Sequence, residues 1–76
     1  MSSNFYEGFN EMADTLIRIE LDHGLKEAKA AARAAIAEYI RMECKTLSEY
    51  GAYCGATDWL AAAEGIREKD EALTAH

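Results

Sequence analysis

The stretch from Leu25 to Tyr50 contains no proline and no glycine, and it places seven alanines between Ala28 and Ala37. Alanine gives up no side-chain entropy in a helix and is the strongest helix former. The pattern predicts one long helix with a slim waist, the spine of the fold. A waist of small side chains lets a second helix come close. It carries no chemistry of its own.

Length sets the next limit. A chain of 76 residues makes one domain at most. At that size folding buries only about 60 % of the unfolded surface, so a lone core is marginal. Small domains add a disulfide, a metal, very regular helix packing or association with another chain. Two cysteines are too few for a secreted disulfide scaffold. On one helix Cys44 and Cys54 would stand about 15 Å apart, beyond the reach of a bridge. Two reduced thiols in a cytoplasmic protein are the simpler expectation.

The opening Met-Ser-Ser-Asn lacks the basic-then-apolar pattern of a secretory signal. No apolar run approaches the roughly 20 residues of a membrane span. Fourteen acids against 8 bases leave a net charge of −6. Such a chain repels phosphate backbones, which argues against direct nucleic-acid binding. It suits a basic protein surface instead.

The spacing of apolar residues predicts three helices, over about residues 4–23, 25–50 and 57–72. Asn4 and Glu7 approximate a capping box at the start of the first. Phe5, Phe9, Met12, Leu16 and Ile19 then recur at spacings of four and three. Tyr6, Ala13, Ile17 and Leu21 widen that stripe to an arc of about 200°, twice what one neighbour covers. Helix 1 must therefore sit between two helices or offer half its arc to a partner. Gly8 weakens its second turn by about 1 kcal/mol relative to alanine. Gly24 is expected to end it in a left-handed Schellman cap, with Leu25 folding back onto the last turn. Helices 1 and 2 then form a hairpin.

Helix 2 is expected to run to Tyr50 or Cys54, with Gly51 and Gly55 as the two candidate stops. Its stripe reads Leu25, Ala32, Ile36, Tyr39, Ile40, Leu47 and Tyr50, with Glu43 near its centre. A carboxylate there is either paired or wet on an uncovered stretch. At about 26 residues and 39 Å this helix outruns helix 1. Thr57 or Asp58 caps helix 3, whose stripe is Trp59, Ala62, Ile66 and Leu73. The architecture that follows is all-α: a helical hairpin plus a third helix, closing as a small three-helix bundle. The wide arc and the overlong helix 2 predict a homodimer.

Several residue sets can be read as sites. Glu20 and His23 make an E-x-x-H pair on one helix face. With Glu43 they resemble the ligand set of ferritin-like di-iron bundles, which a symmetric dimer would double. The helix dipole equally explains a histidine at a helix C-terminus. Cys44, Cys54, His23 and His76 fit no short zinc-ligand spacing. Nucleophile elbows, phosphate loops and dinucleotide fingerprints are missing, so the reading is non-enzymatic and without a cofactor. Tyr39, Tyr50, Tyr53 and Trp59 gather around the expected joint of helices 2 and 3. They serve either as core or, for Tyr50, Tyr53 and Trp59, as aromatic anchors for a partner. Glu64, Glu68 and Glu71 form an acidic ridge on helix 3, and Glu7, Glu11 and Asp14 line the wet face of helix 1.

These features favour a small acidic module that binds a larger protein through a basic surface. In size, acidity and helical character it resembles phage- or prophage-encoded inhibitors of bacterial defence, including anti-CRISPR proteins. That likeness is one of type and is carried by no motif. It implies an acidic surface that stands in for nucleic-acid phosphates. A metal-binding oligomer built on Glu20, His23 and Glu43, or a structural or regulatory homodimer, are the alternatives.

Overall fold

A computed structural model describes the backbone of residues 4–74 and the side chains of residues 4–65. Three helices follow in order: α1 (Asn4–His23), α2 (Leu25–Met42) and α3 (Leu47–Thr74). No strand occurs among the described residues. The helices pack as a small three-helix bundle. Asn4, expected as a cap, is the first residue of α1.

Gly24 alone joins α1 to α2. Its φ of 97° and ψ of 164° fall in a region open essentially to glycine, not in the left-handed well of a Schellman cap. The Gly24 N–H donates to the Glu20 carbonyl at 2.9 Å and closes α1. Its own carbonyl accepts from the Ala28 N–H at 3.1 Å and opens α2. One residue thus ends a helix, reverses the chain and starts the next helix. Leu25 begins α2 and borders a shallow depression with Glu20 and Trp59.

The long helix expected over 25–50 is divided. α2 stops at Met42, and Glu43 takes the left-handed conformation with φ 63° and ψ 24°. Its N–H donates to the Ile40 carbonyl at 3.2 Å. Cys44 follows, also at positive φ, 35°. A new helix then begins at Thr46-Leu47-Ser48-Glu49 through a reciprocal capping box. The Glu49 N–H donates to Thr46 Oγ1 at 3.0 Å. Glu49 Oε2 accepts from the N–H groups of Thr46 at 3.0 Å and Lys45 at 2.7 Å. These bonds satisfy donors that a helix start otherwise leaves bare. Thr57 and Asp58 are not caps but lie inside α3, where Thr57 Oγ1 donates back to the Cys54 carbonyl at 2.9 Å.

Gly51 and Gly55 do not stop a helix either. Both are buried within α3 against α1. A Cβ placed on Gly51 would stand 2.0 Å from the Phe5 carbonyl oxygen. One on Gly8 would stand 2.0 Å from the Ser48 carbonyl oxygen. At Gly55 the Phe9 carbonyl oxygen is 2.9 Å away. Backbone meets backbone on both sides of this crossing, and α1–α3 is the most extensive interface of the bundle. Phe5 faces Gly51 and Phe9 faces Gly55, so α1 and α3 run parallel, with α2 returning between their ends.

The buried apolar core consists of Leu16, Ala28, Ala32, Ala52 and Ala56. Met12, Ala31, Ala35, Ile36, Trp59 and Leu60 pack around Leu16, Ala32 and Ala56. Leu16 is the one large side chain among the described residues that is fully buried. Alanine removes little apolar area from water, so much of the cohesion comes from close helix approach. Lys29 is also buried on α2, its aliphatic stem serving as apolar surface.

Gly51→Ala is expected to destabilise the protein by about 1–3 kcal/mol or more, because the added methyl meets rigid backbone. Gly65→Ala, with nothing within 4 Å of its Cβ position, should stabilise α3 by up to about 1 kcal/mol. Urea denaturation midpoints of the two variants check both signs. A neutral Gly51→Ala would contradict a backbone-to-backbone crossing.

Candidate partner-binding face

Because glycine and alanine make the helix contacts, large apolar side chains are left over. Eight of them are exposed among the described residues: Tyr6, Ile17, Leu21, Leu25, Ile40, Met42, Leu47 and Tyr50. On α1 the division follows the helix period. Phe5, Phe9, Met12, Leu16 and Ile19 turn inward, buried or half-buried. Tyr6, Ile17 and Leu21 face water at 66 %, 46 % and 81 % exposure. Asn10 and Ala13 complete this outer stripe by spacing. The wide arc of helix 1 is therefore covered on one half only.

The aromatic residues form an array different from the expected one. Phe5 stands edge-on to Tyr6 at a centroid distance of 5.2 Å and stacks with Phe9 at 6.2 Å. Tyr50 reaches Phe5 across the crossing at 5.7 Å and stacks on Tyr53 at 6.4 Å. Tyr50 and Tyr53 thus join the start of α1, not a joint with Trp59. Tyr53, between two glycines, is helical and half-buried. Trp59 packs against the core and is half-buried. Of the three expected anchors, Tyr50 is the exposed one. Its phenol is held above the usual pKa by the neighbouring Cys54 thiol one turn on.

Glu7, Glu11 and Asp14 are exposed on α1 and lie on the polar side of the Tyr6–Leu21 stripe. Glu11 and Glu49 also border a groove of about 200 Å³ with Gly8, Met12, Thr15, Tyr39, Ser48 and Ala52. Glu64 is half-buried and engaged: Arg33 Nη2 donates to its Oε1 at 2.9 Å, tying α2 to α3. The side chains of Glu68 and Glu71, with those of Ile66 and Leu73, lie outside the described ones, and His76 lies outside the described residues.

Glu20, His23 and Glu43 do not come together within the chain. Glu20 and His23 occupy the last turn of α1, whereas Glu43 follows the far end of α2. The 18 residues of α2 separate them by about 27 Å. Glu43 is wet, not paired on an apolar face, because the helix ends before it. No group of three His, Cys, Asp or Glu side chains is gathered for a metal among the described residues. Cys44 and Cys54 are free thiols, half-buried, with Cys44 Sγ donating to the Tyr39 carbonyl at 3.5 Å. No described helix is long and apolar enough to cross a membrane.

Two features escape a reading of helix periodicity. The Thr46-Leu47-Ser48-Glu49 capping box was hidden inside a helix-favouring run, although its T-x-x-E pattern is visible. The Gly51/Gly55 pair carries the small-xxx-small spacing of a close helix crossing, a signal that outweighs its value as punctuation. Compared with known proteins, the chain matches no family model, no curated sequence and no solved structure.

On the outer side of α2, Arg41 hydrogen-bonds Glu38 one turn before it. That bond, and the charge behind it, hold the Glu38 carboxyl below its usual pKa of 4.5 and push the Arg41 guanidinium up. A pKa lowered in the folded state adds stability that is present above 4.5 and is lost as pH falls through the lowered value. An NMR titration should find Glu38 below the usual carboxylate range and returned to it in Arg41→Ala. An unchanged Glu38 in that variant would contradict the pairing.

Proposed function

We propose that this protein is a non-enzymatic protein-binding module whose binding surface is the outer stripe of α1, with Tyr50 at one end. The observation that carries the reading is the exposure of Tyr6, Ile17, Leu21 and Tyr50 beside Glu7, Glu11 and Asp14. Rigid aromatic and aliphatic side chains supply desolvation energy at a contact, and tyrosine is enriched among residues that dominate binding. The acids bordering them steer a basic partner and penalise an acidic one. A larger protein with a basic surface is the partner class that fits.

The finer form of the proposal is an inhibitor of a bacterial defence complex. In it Glu7, Glu11 and Asp14 occupy a surface that otherwise receives nucleic-acid phosphates. Glu64 contributes less than its sequence position suggests, because Arg33 already holds it. A metal-binding oligomer is the weaker reading, since it must bring Glu43 to Glu20 and His23 from the other end of α2.

Ile17→Gln with Leu21→Gln tests the module. Both side chains are exposed, so the double variant should keep its helical circular dichroism and melt within about 1 kcal/mol of the parent. Captures from a bacterial lysate, read by mass spectrometry, should recover a basic protein with the parent and lose it with the variant. Recovery of the same protein by both would place the binding surface elsewhere.

A further inference from the structure

We infer that the outer face of α1 seats a cationic amphipathic helix from the partner, packed as a fourth helix on the bundle; this deepens the protein-binding reading and rests on it. The first argument is spacing. Tyr6, Asn10, Ala13, Ile17 and Leu21 follow one another at four, three, four and four residues. That interval repeats the knob positions one helix offers another. From Tyr6 to Leu21 the ridge is about 22 Å long, the length of a partner helix of some 15 residues. Ala13, half-buried at its middle, is the smallest side chain of the ridge.

The second argument is exposure. Along that ridge Tyr6, Ile17 and Leu21 are 66 %, 46 % and 81 % exposed. Tyr6 and Tyr50 both flank Phe5, which widens the seat at the N-terminal end of α1.

The third argument is charge, and it selects the occupant. Glu7, Glu11, Asp14 and Asp22 are exposed on α1, with Arg18 as the exposed base among them. A second copy packed antiparallel about Ala13 would oppose Arg18 to the other Glu7 and Glu11 but bring Asp14 toward the other Asp14, and each face carries these four acids to one base. A helix with lysine or arginine beside an apolar stripe meets the same acids with opposite sign. It gains steering as well as contact.

The probe is a synthetic Leu–Lys peptide of about 18 residues with leucines at alternating three- and four-residue spacing. A permuted peptide of identical composition but no single apolar face is the control. Fluorescence anisotropy follows binding, circular dichroism follows peptide helicity, and light scattering follows the protein alone. The amphipathic peptide should bind at least about tenfold more tightly than the permuted one, as the burial of Ile17 and Leu21 implies. It should gain helicity on binding, and Ile17→Gln with Leu21→Gln should abolish the preference. Equal binding of both peptides, or binding of neither, overturns the helix seat while the lysate capture still judges the module reading. A protein dimer that the double variant dissolves and the peptide does not displace overturns it in favour of a second copy.

Discussion

The backbone contact between α1 and α3 sets the terms for everything else in this bundle. Gly8 receives the Ser48 carbonyl and Gly51 receives that of Phe5. At such distances no side chain fits between the helices, so their axes are drawn together and their relative height is fixed. The two helices run parallel, which no short loop can arrange. The chain must first travel back along α2 and then turn again. The turn at Glu43 and Cys44 puts two non-glycine residues at positive φ, a conformation costing roughly 1–2 kcal/mol per residue. The capping box at Thr46 and Glu49 offsets part of that by satisfying the first donors of α3.

A close crossing also determines what the core can hold. Between helices this near, alanine fits and leucine does not, and the buried apolar residues are one leucine and four alanines. The large apolar residues are displaced outward. Leu21, Tyr6, Leu47 and Ile40 are more exposed than buried, which is costly for a chain that needs every apolar contact it can make. Their exposure is thus not separate from the fold. It is the consequence of building the interior from the smallest side chains.

The sequence makes the all-α class, the joint at Gly24 and the over-wide apolar arc of α1 legible, because each depends on local period or a single special residue. The break after Met42 is not legible in the same way. Propensity favours helix straight through from Leu25 to Tyr50, and the competing T-x-x-E signal is worth only about 1 kcal/mol locally. Tertiary demand decides in its favour, since α3 must begin at Leu47 to bring Gly51 against Phe5. The same demand reverses the meaning of the two glycines: read alone they punctuate, but read against Gly8 they are contact surfaces. Glu43 follows suit. On an unbroken helix it falls in an apolar stripe and asks for a partner; at the end of α2 it is simply solvated. Among the site residues, the acids of α1 are exposed on the face the pattern assigns them, whereas Tyr50 passes from the expected end of helix 2 to the first turn of α3. Trp59 is drawn into the core, and Glu64 into an ion pair with Arg33.

The acidity of the chain acquires a structural logic from this arrangement. An uncovered apolar stripe invites indiscriminate association, including with copies of itself. On the proposed reading, placing Glu7, Glu11 and Asp14 beside Tyr6, Ile17 and Leu21 makes acidic surfaces unfavourable while leaving cationic ones attractive. The selectivity requires no cavity and no movable element, since both the stripe and the acids ride on one helix. That helix is held at its N-terminal end by the glycine crossing and at its C-terminal end by the single-residue joint at Gly24. A surface fixed at both ends loses little freedom when a partner arrives, so more of the contact energy appears as affinity.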